Sequence, residues 1–173
     1  MQPTFSSSRI LQPVRPWFIV LSLFAALLAN FLPTSAWLWI PDWVALTLVF
    51  WCIREPRRVG MSTAFILGLA MDVADSSLMG QHALAYVLAA YFASSLSRRI
   101  LWFPLGQQAL HVLPLLLMVQ VVQFCVRALP GVELPGISYF IGPVIGATLW
   151  WPTTFILLLP QYQPVDRDAN RPI

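Results

Sequence analysis

The sequence predicts an all-α membrane protein with about six transmembrane helices in one bundle. Of its 173 residues, 58% are hydrophobic and only 10% are charged, and the mean hydropathy is +0.73. A soluble domain of this length could not cover so much apolar side chain. Apolar runs separated by arginines and prolines supply the helices, and the arginines recur in alternate loops. Lipid is therefore the predicted solvent for most of the chain.

The first predicted helix, residues 17–32, follows a polar N-terminal tail, residues 1–16. This segment resembles a signal-peptide core as well as a membrane span, and residues 34–36 are small enough for cleavage. Loss of the segment would leave five spans and place the arginine-rich loops on conflicting sides of the membrane. We therefore interpret it as a retained first helix.

Five further spans are predicted, each ended by arginines, prolines or both. They cover residues 40–53, 59–75, 80–96, 105–127 and 136–159. Several are shorter than the roughly 20 residues that a perpendicular helix needs. Local thinning of the bilayer, broken helices or burial against neighbouring helices is therefore expected.

The domain organisation follows from these spans. One transmembrane domain, residues 17–160, is followed by a polar, proline-flanked tail, residues 161–173, which is predicted to be disordered. No internal repeat and no second domain are detected, because six spans leave no room for one.

The arginines predict the orientation, since short cytoplasmic loops retain basic residues. All ten basic residues are arginines, and nine of them fall in the N-terminal tail, the second loop, the fourth loop and the C-terminal tail. These nine are Arg9, Arg15, Arg54, Arg57, Arg58, Arg98, Arg99, Arg167 and Arg171. Only Arg127 falls on the other side. The alternation favours an even number of spans in an inner membrane, with both termini in the cytoplasm.

A stripe of small and acidic residues marks the third span. Gly60, Ala64, Gly68 and Asp72 recur every four residues and Asp75 follows three later, so all five share one helical face. Small residues at this spacing let another helix approach closely. An ionisable side chain near the end of the stripe is costly in lipid, so it should face protein, a water-filled cleft or a cationic partner.

Two interpretations of the acidic pair remain open. In the first, Asp72 and Asp75 lie at the outer interface and cap the next helix, with Ser76 and Ser77 helping to satisfy open amides. In the second, Asp72 makes a buried polar contact, inside the bundle or with a partner helix, that holds the third and fourth spans in register. Catalysis is the least favoured of the three uses.

Enzyme templates fit the sequence poorly. A metal-dependent phosphotransferase needs further carboxylates and works on the cytoplasmic side, intramembrane aspartyl proteolysis needs carboxylates on two helices, and no HExxH motif is present. His82 and His111 are isolated, and each is predicted to form a helix–helix hydrogen bond. Cys52 and Cys125 lie in apolar runs, where a thiol behaves as a small buried hydrophobe. The sequence predicts no enzyme, no cofactor and no metal site.

The last two spans carry polar and small residues at helical spacing. Gln120, Gln123 and Arg127 fall on one face of the fifth span, which predicts an interhelical hydrogen-bond stripe leading to the outer surface. Arg127 would pair with Glu133 in the following loop or with an aspartate of the third span, or would snorkel at the helix end. In the sixth span a GxxxG spacing surrounds a proline and predicts close packing with a kink.

A larger set of residues is predicted to form a packing or partner surface. It comprises Gly60, Ala64, Gly68, Asp72, Asp75, Gly80, Ala83, Gln120, Gln123, Arg127, Gly142 and Gly146.

The sequence also resembles a known family. The run GLAMDVADSSLMGQHALAY, residues 68–86, preceded by PDW at residues 41–43 and RVG at residues 58–60, resembles MreD, the small membrane component of the bacterial rod-shape system. The resemblance covers nearly the whole chain, and the pattern GLxxDxxxxxxxGQHAL is fairly specific. It carries family importance onto the matching positions Gly68, Asp72, Gly80 and Ala83.

The resemblance implies a non-enzymatic inner-membrane protein that works in lateral peptidoglycan synthesis. The implied partners are MreC, the MreB filament, RodZ, and the RodA glycosyltransferase with its class B penicillin-binding protein; a homodimer is left open, and nucleic acid is not an expected ligand. The family also looks distantly similar to the substrate-binding subunits of energy-coupling-factor transporters. The rival function is accordingly a small-molecule-binding or transport subunit, which would need a cavity of roughly 300 Å³ or larger.

Overall fold

The computed structural model describes residues 14–31, 41–131 and 135–161, and every regular element within these ranges is helical. The five long helices are α1 Pro16–Phe31, α2 Trp43–Arg54, α3 Met61–Ala74, α4 Gln81–Leu101 and α5 Leu105–Ala128. A 3-10 turn, Ile137–Phe140, leads into α6 Ile141–Thr148, α7 Trp150–Leu158 and a closing 3-10 turn, Leu159–Gln161. The predicted all-α class is confirmed.

Each of the six apolar segments predicted from the sequence contains helix. The sixth is divided, because α6 and α7 meet at a bend of 45°. The fourth continues to Leu101, beyond its predicted end at residue 96, and so includes Arg98 and Arg99 in its last turn. Cations at this end of a helix interact favourably with its dipole. The predictions for residues 1–13, 32–40, 132–134 and 162–173 lie outside the described residues.

Helix α2 forms the centre of the core. Every residue from Val44 to Ile53 is buried, because α1, α4, α5 and α7 all pack against this helix. Trp51, which is fully buried, donates its indole N–H to the hydroxyl of Ser22 on α1 at 2.8 Å. The bond satisfies the only polar atom of that large side chain. A helix that is apolar on all sides is expected in such a central position.

Two glycines allow neighbouring helices to approach closely. A Cβ atom at Gly68 of α3 would lie 2.8 Å from the carbonyl carbon of His82 and closer still to the backbone of Ala83, both on α4. At Gly146 of α6 a Cβ atom would lie 2.9 Å from a methyl carbon of Leu116 on α5. In contrast, Gly60 has open space around its Cα atom. The four-residue stripe is therefore a packing surface at Gly68 and not at Gly60.

The outer faces of the helices are apolar. Large hydrophobic side chains are more than half exposed on α1, α3, α5 and α7: Val20, Phe24, Ile66, Val73, Leu110, Trp151 and Ile156. Exposed apolar surface on this scale is typical of a membrane or protein contact. Among the described residues, α5 alone is long and apolar enough to cross a membrane unaided, and the bent pair α6 and α7 meets the same criterion together. Helices α1, α2 and α3 are apolar but shorter.

Candidate functional site

A buried carboxylate joins the third and fourth helices. Asp72, in the last turn of α3, is only 2% exposed. Its oxygens accept the backbone N–H groups of Gly80 at 2.8 Å, His82 at 2.8 Å and Ala83 at 3.4 Å. These groups lie at the start of α4, where the first amides have no partner within the helix. The capping interpretation and the register interpretation therefore describe the same contact.

The turn between α3 and α4 gives the cap its shape. Gly80 has φ +98°, a left-handed conformation that glycine adopts without a steric penalty. Ser77 donates its hydroxyl to Oδ1 of Asp72 at 3.1 Å, so it supports the carboxylate, whereas its predicted role was to help satisfy open amides. Ser76, with φ 49°, donates its backbone N–H to the carbonyl of Val73 at 3.4 Å. The turn thus brings backbone N–H groups that lie eight to eleven residues after Asp72 into contact with its carboxylate.

His82 lies between Asp72 of α3 and Asp75, the residue that follows α3. Its Nδ1 atom is 2.9 Å from Oδ1 of Asp72, and its Nε2 atom is 3.6 Å from Oδ2 of Asp75. The side chain of His82 is 6% exposed and that of Asp75 is 44% exposed. The histidine forms the predicted helix–helix hydrogen bond, but it is not isolated. The sequence places His82 ten residues after Asp72, with the turn residue Gly80 between them. That spacing could have indicated that the two side chains meet.

A second carboxylate, Asp42, joins three helices. Its Oδ1 atom accepts from the side-chain amide of Asn30 on α1 at 2.9 Å and from the backbone N–H of Ala45 on α2 at 3.0 Å. Its Oδ2 atom accepts from the hydroxyl of Tyr86 on α4 at 2.6 Å. Asp42 is not among the residues that the sequence predicts to form a packing or partner surface. An aspartate just before an apolar helix is an N-cap signal, and that signal could have identified one of these bonds.

The polar face of α5 binds the start of α4 and the turn after α5. Arg127 donates its Nε–H to Oε1 of Gln81 at 3.2 Å, and its guanidinium lies 5.9 Å from the ring centre of Tyr139. The hydroxyl of Tyr139 donates to Oε1 of Gln123. The hydrogen bond of Arg127 to Gln81 replaces the predicted pairing with an aspartate of α3, and the other predicted partner, Glu133, lies outside the described residues.

These contacts surround one polar cleft of about 190 Å³. Its walls come from the C-terminal ends of α1, α3 and α5, the N-terminal ends of α2 and α4, and the 3-10 turn before α6. The polar lining includes Asn30, Asp42, Asp75, Gln120, Gln123 and Arg127. All these helix ends lie on the side that the arginine pattern predicts to face outward. The cleft is therefore the candidate functional site, and we call it the outer cleft.

Comparison with known proteins identifies the family. The family model described as rod shape-determining protein MreD matches residues 9–162, which include every described residue of the outer cleft. The chain belongs to the MreD family. It is 28% identical, over 154 residues, to the rod shape-determining protein MreD of Haemophilus influenzae; the alignment covers 82% of this chain and 89% of that relative. No solved structure matches the chain significantly.

The geometry of this MreD family member does not form a nucleophilic relay. A serine–histidine–aspartate relay uses one ring nitrogen for the serine and the other for the aspartate. Here the hydroxyl of Ser77, at 3.3 Å, and the carboxylate of Asp72, at 2.9 Å, both contact Nδ1 of His82. The three side chains form hydrogen bonds with one another that hold the turn between α3 and α4 together.

Two other sequence predictions place side chains wrongly. Within the described part of the chain, His111 has no hydrogen bond to another helix: its Nδ1 atom contacts the carbonyl of Gln107 in its own helix at 2.9 Å, and its ring stacks on Phe103 with 4.7 Å between ring centres. Cys125 is exposed, whereas Cys52 is buried as predicted. Both errors arise because α5 turns one apolar face outward, which the composition of the run alone does not reveal.

Proposed function

We propose that the chain is a non-enzymatic inner-membrane component of the bacterial cell-elongation complex. In this role it supports lateral peptidoglycan synthesis and rod shape together with MreC and MreB. RodZ, RodA and a class B penicillin-binding protein are the further partners within the complex. The observation that carries this proposal is the family match over residues 9–162.

The same proposal includes six membrane crossings with both termini in the cytoplasm. Helices α1 to α5 each supply one crossing, and α6 with α7 supplies a broken sixth. Two features support this arrangement. Arg54, Arg98 and Arg99 all lie in the last turns of α2 and α4, at the end of the bundle away from the outer cleft. Apolar side chains cover the outer faces between the two ends.

Within the complex, the chain would act as a rigid scaffold. Of the predicted packing or partner surface, Ala64, Gly68, Asp72 and Ala83 are buried between α3 and its neighbours, so they serve the fold of the chain itself. Asp75, by contrast, has a side chain that is 44% exposed at the rim of the outer cleft. We assign partner contact to the rim and structural support to the buried stripe.

The rival function, a small-molecule-binding or transport subunit similar to those of energy-coupling-factor transporters, is less well supported. Polar groups converge in the outer cleft, as that function requires. However, the volume of about 190 Å³ is below the roughly 300 Å³ at which ligand pockets begin. Assembly therefore remains the function that the observations favour.

The test is replacement of the resident MreD protein of a rod-shaped bacterium by this chain carrying an affinity tag. We expect restored rod shape and co-isolation of MreC with the chain from detergent-solubilised membranes. The matched control is an unrelated six-span membrane protein with the same tag, expressed at the same level. Round cells, together with MreC recovered only at the level of this control, would contradict the proposal.

A further inference from the structure

We propose that the end of the bundle opposite the outer cleft binds the phosphate headgroup of an anionic phospholipid. The site is a cluster of three exposed arginines, which we call the arginine corner: Arg15, Arg57 and Arg58. Arg15 lies just before α1, whereas Arg57 and Arg58 lie in the turn between α2 and α3. The fold thus gathers cations from two segments that are distant in the sequence.

One hydrogen bond joins the two segments of the arginine corner. Arg58 donates its Nη1–H to the backbone carbonyl of Val14, the residue before Arg15, at 2.5 Å. The apolar neighbours of the two arginines are buried, since Val14 is 7% exposed and Val59 is 2% exposed. The backbone is therefore anchored on both sides of this contact. Packing of the chain itself, and not a chance meeting of long side chains, holds the arginines near one another.

The arginine corner has more positive than negative charge. Within the described part of the chain, one carboxylate pairs with it: Oε2 of Glu55 lies 3.8 Å from Nε of Arg58. Arg15 and Arg57 form no ion pair with any described residue. A surplus of like charge raises the local concentration of counter-ions. The expected ligand is therefore an anion.

Exposed apolar surface begins directly beside the arginine corner. The outward face of α1 starts at Trp17, two residues after Arg15, and continues through side chains that are also more than half exposed: Val20, Leu21 and Phe24. Tryptophan prefers the headgroup level of a bilayer. A free anion or an acidic protein segment would cover only the arginines, whereas a molecule with an anionic head and an apolar tail covers both surfaces. A phospholipid is such a molecule.

The phosphate group also fits the donors of the arginine corner. A guanidinium presents its N–H groups as a planar fork that matches two phosphate oxygens. Arg58 uses part of its fork on Val14, while Arg15 and Arg57 are exposed and make no side-chain hydrogen bond to a described residue. Their donors are therefore available to the headgroup. The inference rests on the proposed insertion of the chain in a membrane, and it does not depend on the proposed partners.

A second exposed arginine pair supplies a matched control. Arg98 and Arg99 lie in the last turn of α4 and form no ion pair with a described residue. They are consecutive on one helix, so their side chains leave it about 100° apart. They also compensate the partial negative charge at the C-terminal end of that helix. This pair carries two positive charges without converging on one place.

The first measurement tests recognition of the headgroup. The full chain is labelled with 5-fluorotryptophan in nonionic detergent micelles, and the ¹⁹F signal of Trp17 is assigned with a Trp17→Phe variant. Dioctanoyl phosphatidylglycerol is the probe. Dioctanoyl phosphatidylcholine, whose phosphate carries its own cation, is the control with the same acyl chains. We expect a saturable shift of the Trp17 signal with phosphatidylglycerol alone.

The second measurement tests the place of binding by repeating this titration with two double variants. Arg15→Gln with Arg57→Gln should weaken binding about tenfold or more, because each arginine contributes favourably at an anionic lipid surface. Arg98→Gln with Arg99→Gln removes the same charge and should change the affinity less than about twofold, because salt screens exposed charges that do not touch the ligand. Arg58 is left unchanged, since it also holds the backbone of Val14.

Four outcomes would overturn the inference. The absence of a saturable shift would show that no lipid binds beside Trp17, and an equal response to the two lipids would show that the negative headgroup is not recognised. Equal weakening by the two double variants would assign the effect to total charge. An equal shift with glycerol 3-phosphate, which has no acyl chains, would assign the site to a soluble phosphate. None of these outcomes depends on cell shape or on MreC, so failure here is distinguishable from failure of the proposed function.

Discussion

The carboxylate of Asp72 contacts His82 twice, accepting its backbone N–H at 2.8 Å and lying 2.9 Å from its ring nitrogen Nδ1. One side chain thus caps α4 and orients a buried histidine in the first turn of that helix. Because Gly68, one turn before Asp72, lets the two helix backbones touch, the carboxylate can reach amides that a normal interhelical distance would place beyond it. The cap and the close approach depend on each other.

Replacing Asp72 with alanine should destabilise the chain strongly. The change leaves several buried N–H groups at the start of α4 without an acceptor, which we expect to lower the free energy of unfolding by about 2–4 kcal/mol. The measurement is reversible unfolding in mixed detergent micelles. Ser62→Ala, an exposed polar change on the same helix, is the control and should stay within about 0.5 kcal/mol. A wild-type unfolding curve for Asp72→Ala would contradict the capping role.

The same substitution should affect the proposed assembly. At wild-type expression, we expect Asp72→Ala to reduce co-purification with MreC or to round the cells, because the helix ends around the outer cleft lose their alignment. Cell shape by microscopy and complex yield by affinity isolation are the two measurements. Normal shape together with normal yield would show that the cap does not matter for assembly.

Two glycines of the α3 stripe should respond differently to alanine. Gly68→Ala places a methyl group against the backbone of α4, and overpacking of this kind costs about 1–3 kcal/mol. Gly60→Ala meets nothing within 4 Å, so it should change stability by less than about 0.5 kcal/mol. Both variants are compared by thermal unfolding under the same conditions. Equal effects at the two positions would mean that the stripe does not act through close packing of α3 on α4.

Removing the hydroxyl group of Tyr86 should destabilise the chain, because this group donates a hydrogen bond to Asp42. Tyr86 is fully buried and donates to Asp42 at 2.6 Å, so Tyr86→Phe should lower the free energy of unfolding by about 1–3 kcal/mol. Tyr91→Phe on the same helix removes a hydroxyl from a side chain that is 51% exposed, and little change is expected. Similar unfolding midpoints for the two variants would show that the bond does not support the bundle.

The proposed orientation can be tested at three well-exposed loop positions. In a Cys125→Ser background, Met79→Cys and Leu129→Cys should react with a membrane-impermeant maleimide added to spheroplasts, because both lie near the outer cleft. Trp102→Cys, in the turn between α4 and α5, should react only after the membrane is permeabilised. The native side chains are 81%, 85% and 91% exposed, so burial would not limit the reaction. Labelling of Trp102→Cys in intact spheroplasts would refute the arrangement.

Much of the local structure could be predicted from the sequence. The helical segments follow from apolar runs ended by arginine and proline, and these signals depend only on neighbours along the chain. The capping of α4 by Asp72 was one of two open interpretations, because an aspartate near a turn indicates a cap without saying which amides it reaches. The partner of Arg127 was missed, since its choice of Gln81 depends on how α5 packs beside α4.

The sequence by itself determined the helical class, the apolar segments, the GLxxDxxxxxxxGQHAL pattern and the predicted orientation, because each rests on composition or short-range spacing. Only the tertiary structure decided that Asp42, Gln123 and Tyr139 meet around one cleft and that Cys125 faces outward. The physical reason is that the lateral order and rotation of apolar helices are set by the packing of side chains distant in sequence, such as Gly68 against Ala83.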